Sequence, residues 1–211
     1  MDCMEYLRTL PDNFADLALV DPPYGIGVNK MTLGNSNRKI NRGKNNWDQI
    51  APEANYFDLL KRKSKNQIMF GANHYLDNIP FLINSSCWII WDKCTGDNDY
   101  ADAELAWTSF NSVVKVFKKS WVGANAKEKN EFDRIHPTQK PIALYQWIYA
   151  NYLPQGGKVI DTHLGSGSNR IAADKAGNID FYATEIDADY FASQEKRWRE
   201  YKAQGVLEFP L

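Results

Sequence analysis

The stretch that decides the fold is Leu17-Ala18-Leu19-Val20-Asp21, a short apolar run that ends directly on an acidic residue. An apolar run of this length, bounded by turn residues, is typical of a buried strand. The chain contains three such junctions between a strand and an acid. They are residues 17–20 before Asp21, residues 158–160 before Asp161 and residues 181–184 before Glu185.

Helical patterns lie between and after these strands, at residues 141–152, 168–176 and 187–203. Strands that alternate with helices predict an α/β fold, with a mostly parallel sheet and helices on both faces. Ligands of such sheets bind beyond the carboxyl ends of the strands. We therefore expect the three acids to meet at one edge of the sheet and to form one site.

The middle of the chain adds further strands and a long polar stretch. Residues 66–70 and 87–91 have the apolar character of buried strands, and residues 104–107 with 113–117 predict a hairpin-like pair. Residues 29–47 are more than an ordinary connection requires, which predicts a mobile loop that is either functional or disordered. The sequence shows no internal repeat, so its 211 residues predict a single domain.

The composition is that of a soluble globular protein, with 44% apolar and 24% charged residues. No run approaches the length of a membrane span, and the acidic start Met1-Asp2 is unlike a signal peptide. We therefore expect a cytoplasmic protein that does not enter the membrane. Three cysteines at unrelated spacings predict reduced thiols and no metal site. The formal net charge of −1 disfavours coating of nucleic acid by bulk charge and leaves local basic patches open.

The sharpest chemical signal is Asp21-Pro22-Pro23-Tyr24, directly after the first strand. A purely structural turn is the alternative, because proline punctuates strand ends in any protein. Asp21 offers a carboxylate acceptor and Tyr24 offers a flat ring. Pro22 or Pro23 adds a backbone carbonyl held in a stiff, extended geometry. Two acceptors beside a stacking surface suit the exocyclic amino group of a planar base.

A glycine-rich bend follows the second of the three strands, with the sequence Asp161-Thr162-His163-Leu164-Gly165-Ser166-Gly167-Ser168. Such a turn brings a small ligand against the N-terminus of the next helix. The dinucleotide fingerprint fails because Arg170 occupies the third glycine position, which disfavours a nicotinamide oxidoreductase. Glu185 nevertheless lies where a ribose-binding acid is expected. A nucleoside without pyrophosphate satisfies both observations, and S-adenosylmethionine (SAM) is such a ligand.

Taken together, the motifs resemble those of the amino-methylating DNA methyltransferases. The resemblance rests on Asp21-Pro22-Pro23-Tyr24, His136-Pro137-Thr138-Gln139-Lys140-Pro141, Gly165-Ser166-Gly167 and Glu185-Ile186-Asp187. The catalytic motif precedes the cofactor motifs, a circularly permuted order similar to that of the beta class, and the nearest likeness is to phage-borne members. The resemblance implies a Rossmann-like SAM-dependent methyltransferase fold, one methyltransferase domain over residues 1–211, and a short target-recognition insertion around residues 92–135.

The resemblance also implies a reaction, namely methyl transfer from SAM to N6 of a DNA adenine that is flipped out of the helix. Asp21 and a carbonyl of Pro22 or Pro23 then accept the two amino protons. Tyr24 stacks on the base, and no metal takes part. The implied cofactor-binding residues are Asp2, Cys3, Thr138, Lys140, Asp161, His163, Gly165, Ser166, Gly167, Ser168, Glu185 and Ile186.

DNA must also be held, and residues 30–44 carry five basic side chains and no acid, which predicts contacts with phosphates. They are Lys30, Arg38, Lys39, Arg42 and Lys44. A solvated loop is the alternative. N4-cytosine methylation stays open, although that group more often has Ser in place of Asp21. A catalytically weak nucleic-acid-binding subunit, an RNA substrate, a homodimer and a restriction-modification partner also stay open.

Overall fold

The structure is a computed structural model, and it describes residues 1–27, 48–79, 85–95, 101–121 and 135–204. These residues contain strands β1 (Ala15–Val20), β2 (Ser64–Phe70), β3 (Trp88–Asp92), β4 (Ala103–Thr108), β5 (Lys115–Lys118), β6 (Gly157–Asp161) and β7 (Ile179–Ala183). They form one seven-stranded sheet in the order β5-β3-β4-β2-β1-β6-β7. The three strands that the sequence places before acidic residues are β1, β6 and β7.

Helices cover both faces of the sheet. They are α1 (Cys3–Thr9), α2 (Ala54–Lys63), α3 (Ile142–Tyr152), α4 (Ser168–Ala176) and α5 (Ala188–Gln204). Because side chains alternate along a strand, Leu17 and Leu19 pack with α3 and α4, whereas Ala18 and Val20 pack with α1 and α2. The two resulting cores explain why β1 is apolar along its whole length. α3 begins one residue later than expected, because Pro141 has an extended backbone and acts as its N-cap.

The central strands share one direction. β1 lies between β2 and β6 and is parallel to both, and β6 is parallel to β7. Their carboxyl ends therefore lie at the same edge of the sheet. This is the arrangement that the alternation of strands and helices predicts, and it gives the α/β architecture expected from the sequence.

The expectation of a hairpin between residues 104–107 and 113–117 is wrong. Both segments are strands, β4 and β5, but β3 lies between them, antiparallel to β4 and parallel to β5. Burial explains the order. Ile89 and Trp91 of β3 are fully buried, so this strand takes an inner position, whereas Val116 of β5 is 50% exposed and suits an edge.

Two expectations about loops fall largely outside the described residues. The polar stretch at residues 29–47, predicted to be a mobile loop, lies entirely outside the described residues. The range around 92–135 contains β4 and β5, which are part of the central sheet, so a target-recognition role for the rest of that range stays a prediction. Among the described residues, no helix is long and apolar enough to cross a membrane, and no group of three or more His, Cys, Asp or Glu side chains is arranged to hold a metal ion.

Candidate active site

The sheet brings the three acids of the strand ends to one edge. Asp21 directly follows β1, Asp161 ends β6, and Glu185 comes two residues after β7. Burial raises the pKa of the Asp161 carboxyl to about 7, and the charges of Asp21 and Glu185 add to the rise. Asp161 is thus close enough to both Asp21 and Glu185 for their charges to affect it, as the prediction of one site at this edge requires.

Asp21 and Tyr24 are joined directly. The Tyr24 hydroxyl donates to Asp21 Oδ1 over 2.7 Å. Asp48, a buried residue that the sequence did not single out, holds the other end of the turn, because its Oδ1 accepts the backbone N–H groups of Tyr24 at 2.7 Å and Gly25 at 3.1 Å. Pro22 is buried and Pro23 half-buried between these two anchors. The Asp-Pro-Pro-Tyr turn is therefore fixed at both ends.

The Tyr24 ring lies in a close-fitting slot. It stacks on the exposed His74 ring, with 5.0 Å between the centroids and 16° between the planes. On Gly71, a Cβ atom would lie only 2.0 Å from Tyr24 Cε1, so a glycine is required for this approach. Gly71 also has a φ of +70°, which other residues rarely adopt. The slot holds the ring that the resemblance assigns to base stacking.

Lys140 lies beside Asp21. It is buried, its ammonium is hydrogen-bonded to Asp21 Oδ2, and its Nζ lies 3.2 Å from the Tyr24 hydroxyl. Glu104 Oε2 is 3.2 Å away on its other side. A buried ammonium needs such counter-ions, and Asp21, directly after β1, and Glu104, in β4, supply them. The contact of Lys140 with the cofactor that the resemblance implies stays a prediction.

The glycine-rich bend is held by its own first residues. Asp161 Oδ1 accepts the backbone N–H of His163 at 3.0 Å, and its Oδ2 accepts the Asn169 amide at 2.8 Å. The Asn169 amide also donates to Leu19 O, which ties the bend to β1. Burial lowers the pKa of His163 to about 4, so its ring is neutral at physiological pH, despite the opposing influence of Asp2.

Glu185 connects the end of β7 to this bend. Its Oε2 accepts the Gly165 N–H at 2.8 Å, and its backbone carbonyl accepts the N-terminal amine of Met1 at 3.0 Å. The bond from Met1 brings the start of the chain to the end of β7, and the expected contact of Asp2 and Cys3 with the cofactor stays a prediction. Asp2 Oδ1, however, accepts the N–H groups of Met4 and Glu5, so it caps α1. Any contact of Asp2 with a ligand would use its remaining acceptor capacity.

The two serines of the bend face inward. Both are buried, and their hydroxyls lie 3.1 Å apart. Arg197 of α5 is 2% exposed and donates to Ser166 O at 2.8 Å and to Ser168 Oγ at 2.9 Å. The structure therefore gives Ser166 and Ser168 a role in shaping the bend, and the sequence did not single out Arg197.

The segment that carries His136 and Thr138 packs against the glycine-rich bend at Gly165. The His136 ring packs against the Tyr190 ring at a tilt, with 4.3 Å between the centroids. The His136 Cδ2 atom lies 3.9 Å from the position that a Cβ atom on Gly165 would occupy. Thr138 Oγ1 is hydrogen-bonded to His136 Nδ1 over 3.1 Å. Thr138 is thus linked through His136 to the bend, and its expected contact with the cofactor stays a prediction. The five basic residues predicted to bind DNA, at positions 30–44, lie outside the described residues.

Comparison with known proteins assigns the chain to a family. The N6_N4_Mtase family model, described as DNA methylase, matches residues 91–196, which is half of the chain. The chain therefore belongs to this DNA methylase family. The matched part includes Lys140, the glycine-rich bend and Glu185.

Individual relatives agree with this assignment at low identity. The chain is 23% identical to the type II methyltransferase M.HinfI of Haemophilus influenzae, over 95% of this chain and 67% of that protein. It is 22% identical to the type II methyltransferase M2.MboI of Moraxella bovis, over 94% of this chain and 86% of that protein. These alignments extend over Asp21-Pro22-Pro23-Tyr24 as well as the cofactor motifs, because they cover nearly the whole chain.

Solved structures share the fold. M1.HpyAVI in complex with SAM aligns with a TM-score of 0.56 at 18% identity, over 94% of this chain and 96% of that chain. The PvuII DNA methyltransferase, described as cytosine-N4-specific, aligns with a TM-score of 0.60 at 14% identity, over 94% of this chain and 84% of that chain. The expected Rossmann-like methyltransferase fold is thereby confirmed.

Proposed function

We propose that this protein transfers a methyl group from SAM to the exocyclic N6 amino group of adenine in DNA. The observation that carries the proposal is the Asp21 carboxylate, hydrogen-bonded to Tyr24 at the end of β1 and next to the glycine-rich bend at the end of β6. Membership of a DNA methylase family supports the reaction class. The SAM complex of M1.HpyAVI, which shares the fold, supports the choice of cofactor.

The residues at the ends of β6 and β7 fit SAM. Glu185 offers a carboxylate suited to the ribose hydroxyls, and the neighbouring Ile186 is 69% exposed, which offers an apolar surface to a flat ring. Gly165 and Gly167 allow close backbone approach by the methionine part. When bound, SAM supplies a methyl group on a positively charged sulfur, which is a good leaving group.

The residues of this chain act on the adenine. Its amino nitrogen is a weak nucleophile because the ring shares its lone pair. Asp21 accepts one amino hydrogen, and a carbonyl of Pro22 or Pro23 accepts the other, which returns electron density to the nitrogen. That nitrogen's lone pair forms the new N–C bond, while the pair of the broken C–S bond stays on sulfur. The surplus amino proton passes to Asp21 and then to solvent.

DNA binding completes the proposal. Tyr24 stacks on the flipped adenine, and stacking on one aromatic ring contributes about 1–3 kcal/mol. We expect Lys30, Arg38, Lys39, Arg42 and Lys44 to contact phosphates. Replacing all five by Gln should weaken DNA binding and reduce its dependence on salt, because fewer counterions are released. Unchanged salt dependence would assign these residues to solvent.

The test of the function is incubation with SAM labelled in its methyl group, together with mixed DNA or mixed RNA, followed by nucleoside analysis. N6-methyladenine from DNA is the expected product. N4-methylcytosine would overturn the choice of base and keep the reaction class. Label in RNA alone would overturn the choice of nucleic acid. Absence of label, with folded protein that binds SAM, would favour a catalytically weak nucleic-acid-binding subunit.

A further inference from the structure

Behind the Asp21 carboxylate lies a row of alternating charges. Lys93 Nζ is 2.6 Å from Glu104 Oε1, and Glu104 Oε2 is 3.2 Å from Lys140 Nζ. Lys140 in turn is paired with Asp21 Oδ2. We call Lys93, Glu104, Lys140 and Asp21 the charge row. It contains two cations and two anions, so it is neutral as a whole.

The charge row is largely removed from solvent. The Lys140 side chain is 2% exposed, that of Lys93 17% and that of Glu104 22%. The Lys140 ammonium also lies 4.7 Å from the centre of the Phe70 ring, so its surroundings are partly apolar. Removing one partner from a buried pair leaves a charge without compensation, which is costly. Each member of the row therefore depends on its neighbours.

We propose that Glu104 is a positioning residue for methyl transfer, because it holds the Lys140 ammonium against Asp21 Oδ2. The other oxygen, Oδ1, already accepts the Tyr24 hydroxyl, and its remaining acceptor capacity is then directed to the target amino group. This inference rests on the proposed function. Glu104 acts through Lys140 and does not touch the substrate. A buried lysine with one counter-ion instead of two would lose its proton more readily, which would leave Asp21 Oδ2 without a cation.

The electrostatics of the row agree with this geometry. Burial alone would lower the pKa of the Lys140 ammonium, but Asp21 and Glu104 together raise it above its ordinary value. Burial alone would raise the pKa of Glu104, but Lys140 and Lys93 together lower it. Titratable groups also face Asp21 from the surrounding elements. They are Tyr24, Tyr56, Tyr75, Glu104, Lys140, Tyr145 and Asp161.

The test compares single-turnover methyl transfer, at saturating SAM and DNA, in the wild type and in Glu104→Gln. The rate constant of the variant should fall at least about tenfold at pH 7.5, because Lys140 then keeps its charge, and its place on Asp21 Oδ2, less firmly. Its rate should also decline between about pH 7 and pH 9, where the wild type is flat, because a buried lysine that loses a counter-ion loses its proton at lower pH. The dissociation constant for SAM should not change. Glu104→Asp should restore part of the rate.

A second variant tests the other end of the row. Lys93→Met removes a cation beside Glu104, so the pKa of Glu104 should rise. The rate should then fall at a higher pH on the acidic side of the profile, whereas Glu104→Gln changes the basic side. Asp174→Asn is the matched control, because Asp174 also pairs with a lysine, Lys202 at 3.0 Å, but between α4 and α5. It should leave both sides of the profile in place.

Each outcome decides the matter. A wild-type rate and pH profile in Glu104→Gln would overturn the inference. So would a lower rate with an unchanged profile and no rescue by aspartate, since that is a structural effect alone. If Glu104→Gln does not fold, an unshifted acidic side of the profile in Lys93→Met overturns it. A wild type that methylates no nucleic acid overturns the proposed function instead, before any variant is compared.

Discussion

Gly165 and Glu185 are joined by a hydrogen bond of 2.8 Å, from the glycine N–H to Oε2 of the carboxylate. The other oxygen, Oε1, accepts the Asp187 N–H at 2.9 Å. The bond links the bend after β6 to the end of β7, which are the two parts of the proposed SAM site. Glu185 therefore shapes the bend in addition to offering acceptors for a ribose.

The first prediction concerns that bond. Glu185→Gln removes the charge and weakens both the contact with Gly165 and the binding of ribose hydroxyls. We expect the dissociation constant for SAM, measured by calorimetry, to rise at least about tenfold, or about 1.4 kcal/mol. Glu195→Gln is the control, because Glu195 is paired with Arg170 outside the bend. Equal affinities in the two variants would contradict the assignment.

The second prediction separates chemistry from cofactor binding. Asp21→Ala should lower the single-turnover rate at least about 100-fold, because the amino group loses its charged acceptor, whereas SAM affinity should stay within about twofold. Asp12→Ala, which removes an exposed aspartate paired with Lys63 at the C-terminal end of α2, should retain the wild-type rate. Loss of SAM binding in a folded Asp21→Ala protein would argue against the role given to Asp21.

The third prediction uses two glycines with nearly the same backbone. Gly71 has φ +70° and Gly27 φ +68°, so alanine meets a similar backbone penalty at each. Only at Gly71 would the new Cβ collide with the Tyr24 ring; at Gly27 nothing lies within 4 Å among the described residues. We expect Gly71→Ala to lower the methyl-transfer rate at least about tenfold relative to Gly27→Ala. Similar rates would show that the position of Tyr24 is unimportant.

The fourth prediction concerns stability and pH. Burial raises the pKa of the Asp161 carboxyl from 3.8 to about 7, so the folded protein keeps a proton that the unfolded chain has already lost. The contribution of Asp161 to the unfolding free energy is therefore fully present below about pH 4 and is lost as the pH rises to about 7, by at most about 4 kcal/mol.

Asp161→Asn removes this titration. Between pH 4 and pH 8 the wild type should lose this contribution, whereas the variant has none to lose. In urea denaturation, the unfolding free energy of the variant minus that of the wild type should therefore increase over this range. A constant difference over that range would show that Asp161 is already ionised in the folded state at low pH. Asp174→Asn again serves as the control, since Asp174 lies at the exposed contact with Lys202.

Local sequence patterns predicted much of the fold. The apolar runs before Asp21, Asp161 and Glu185 are strands β1, β6 and β7, because two to four apolar residues between turn signals are too few for a helix and favour a short strand. The order β5-β3-β4 was not predicted correctly. Two neighbouring strands in sequence favour a hairpin, and only the burial of Ile89 and Trp91 shows that β3 takes the inner place.

The site residues that sequence reasoning missed depend on distant partners. Lys140 and Asp21 are 119 positions apart, and nothing local to Lys140 indicates this pairing. Some signals were nevertheless present. Glu104 is a charged residue in an otherwise apolar strand. Arg197 shares one helical face with Tyr190 and Gln194, at the spacing of a buried stripe, and all three are buried.

The charge row draws its members from β4, from the residues directly after β1 and β3, and from the segment that leads into α3. A nascent chain that has emerged only as far as β5 already carries Asp21, Lys93 and Glu104, but it lacks the ammonium that joins them. The row is therefore completed only when the segment before α3 packs against the strands that precede it in the chain by some 35 positions or more.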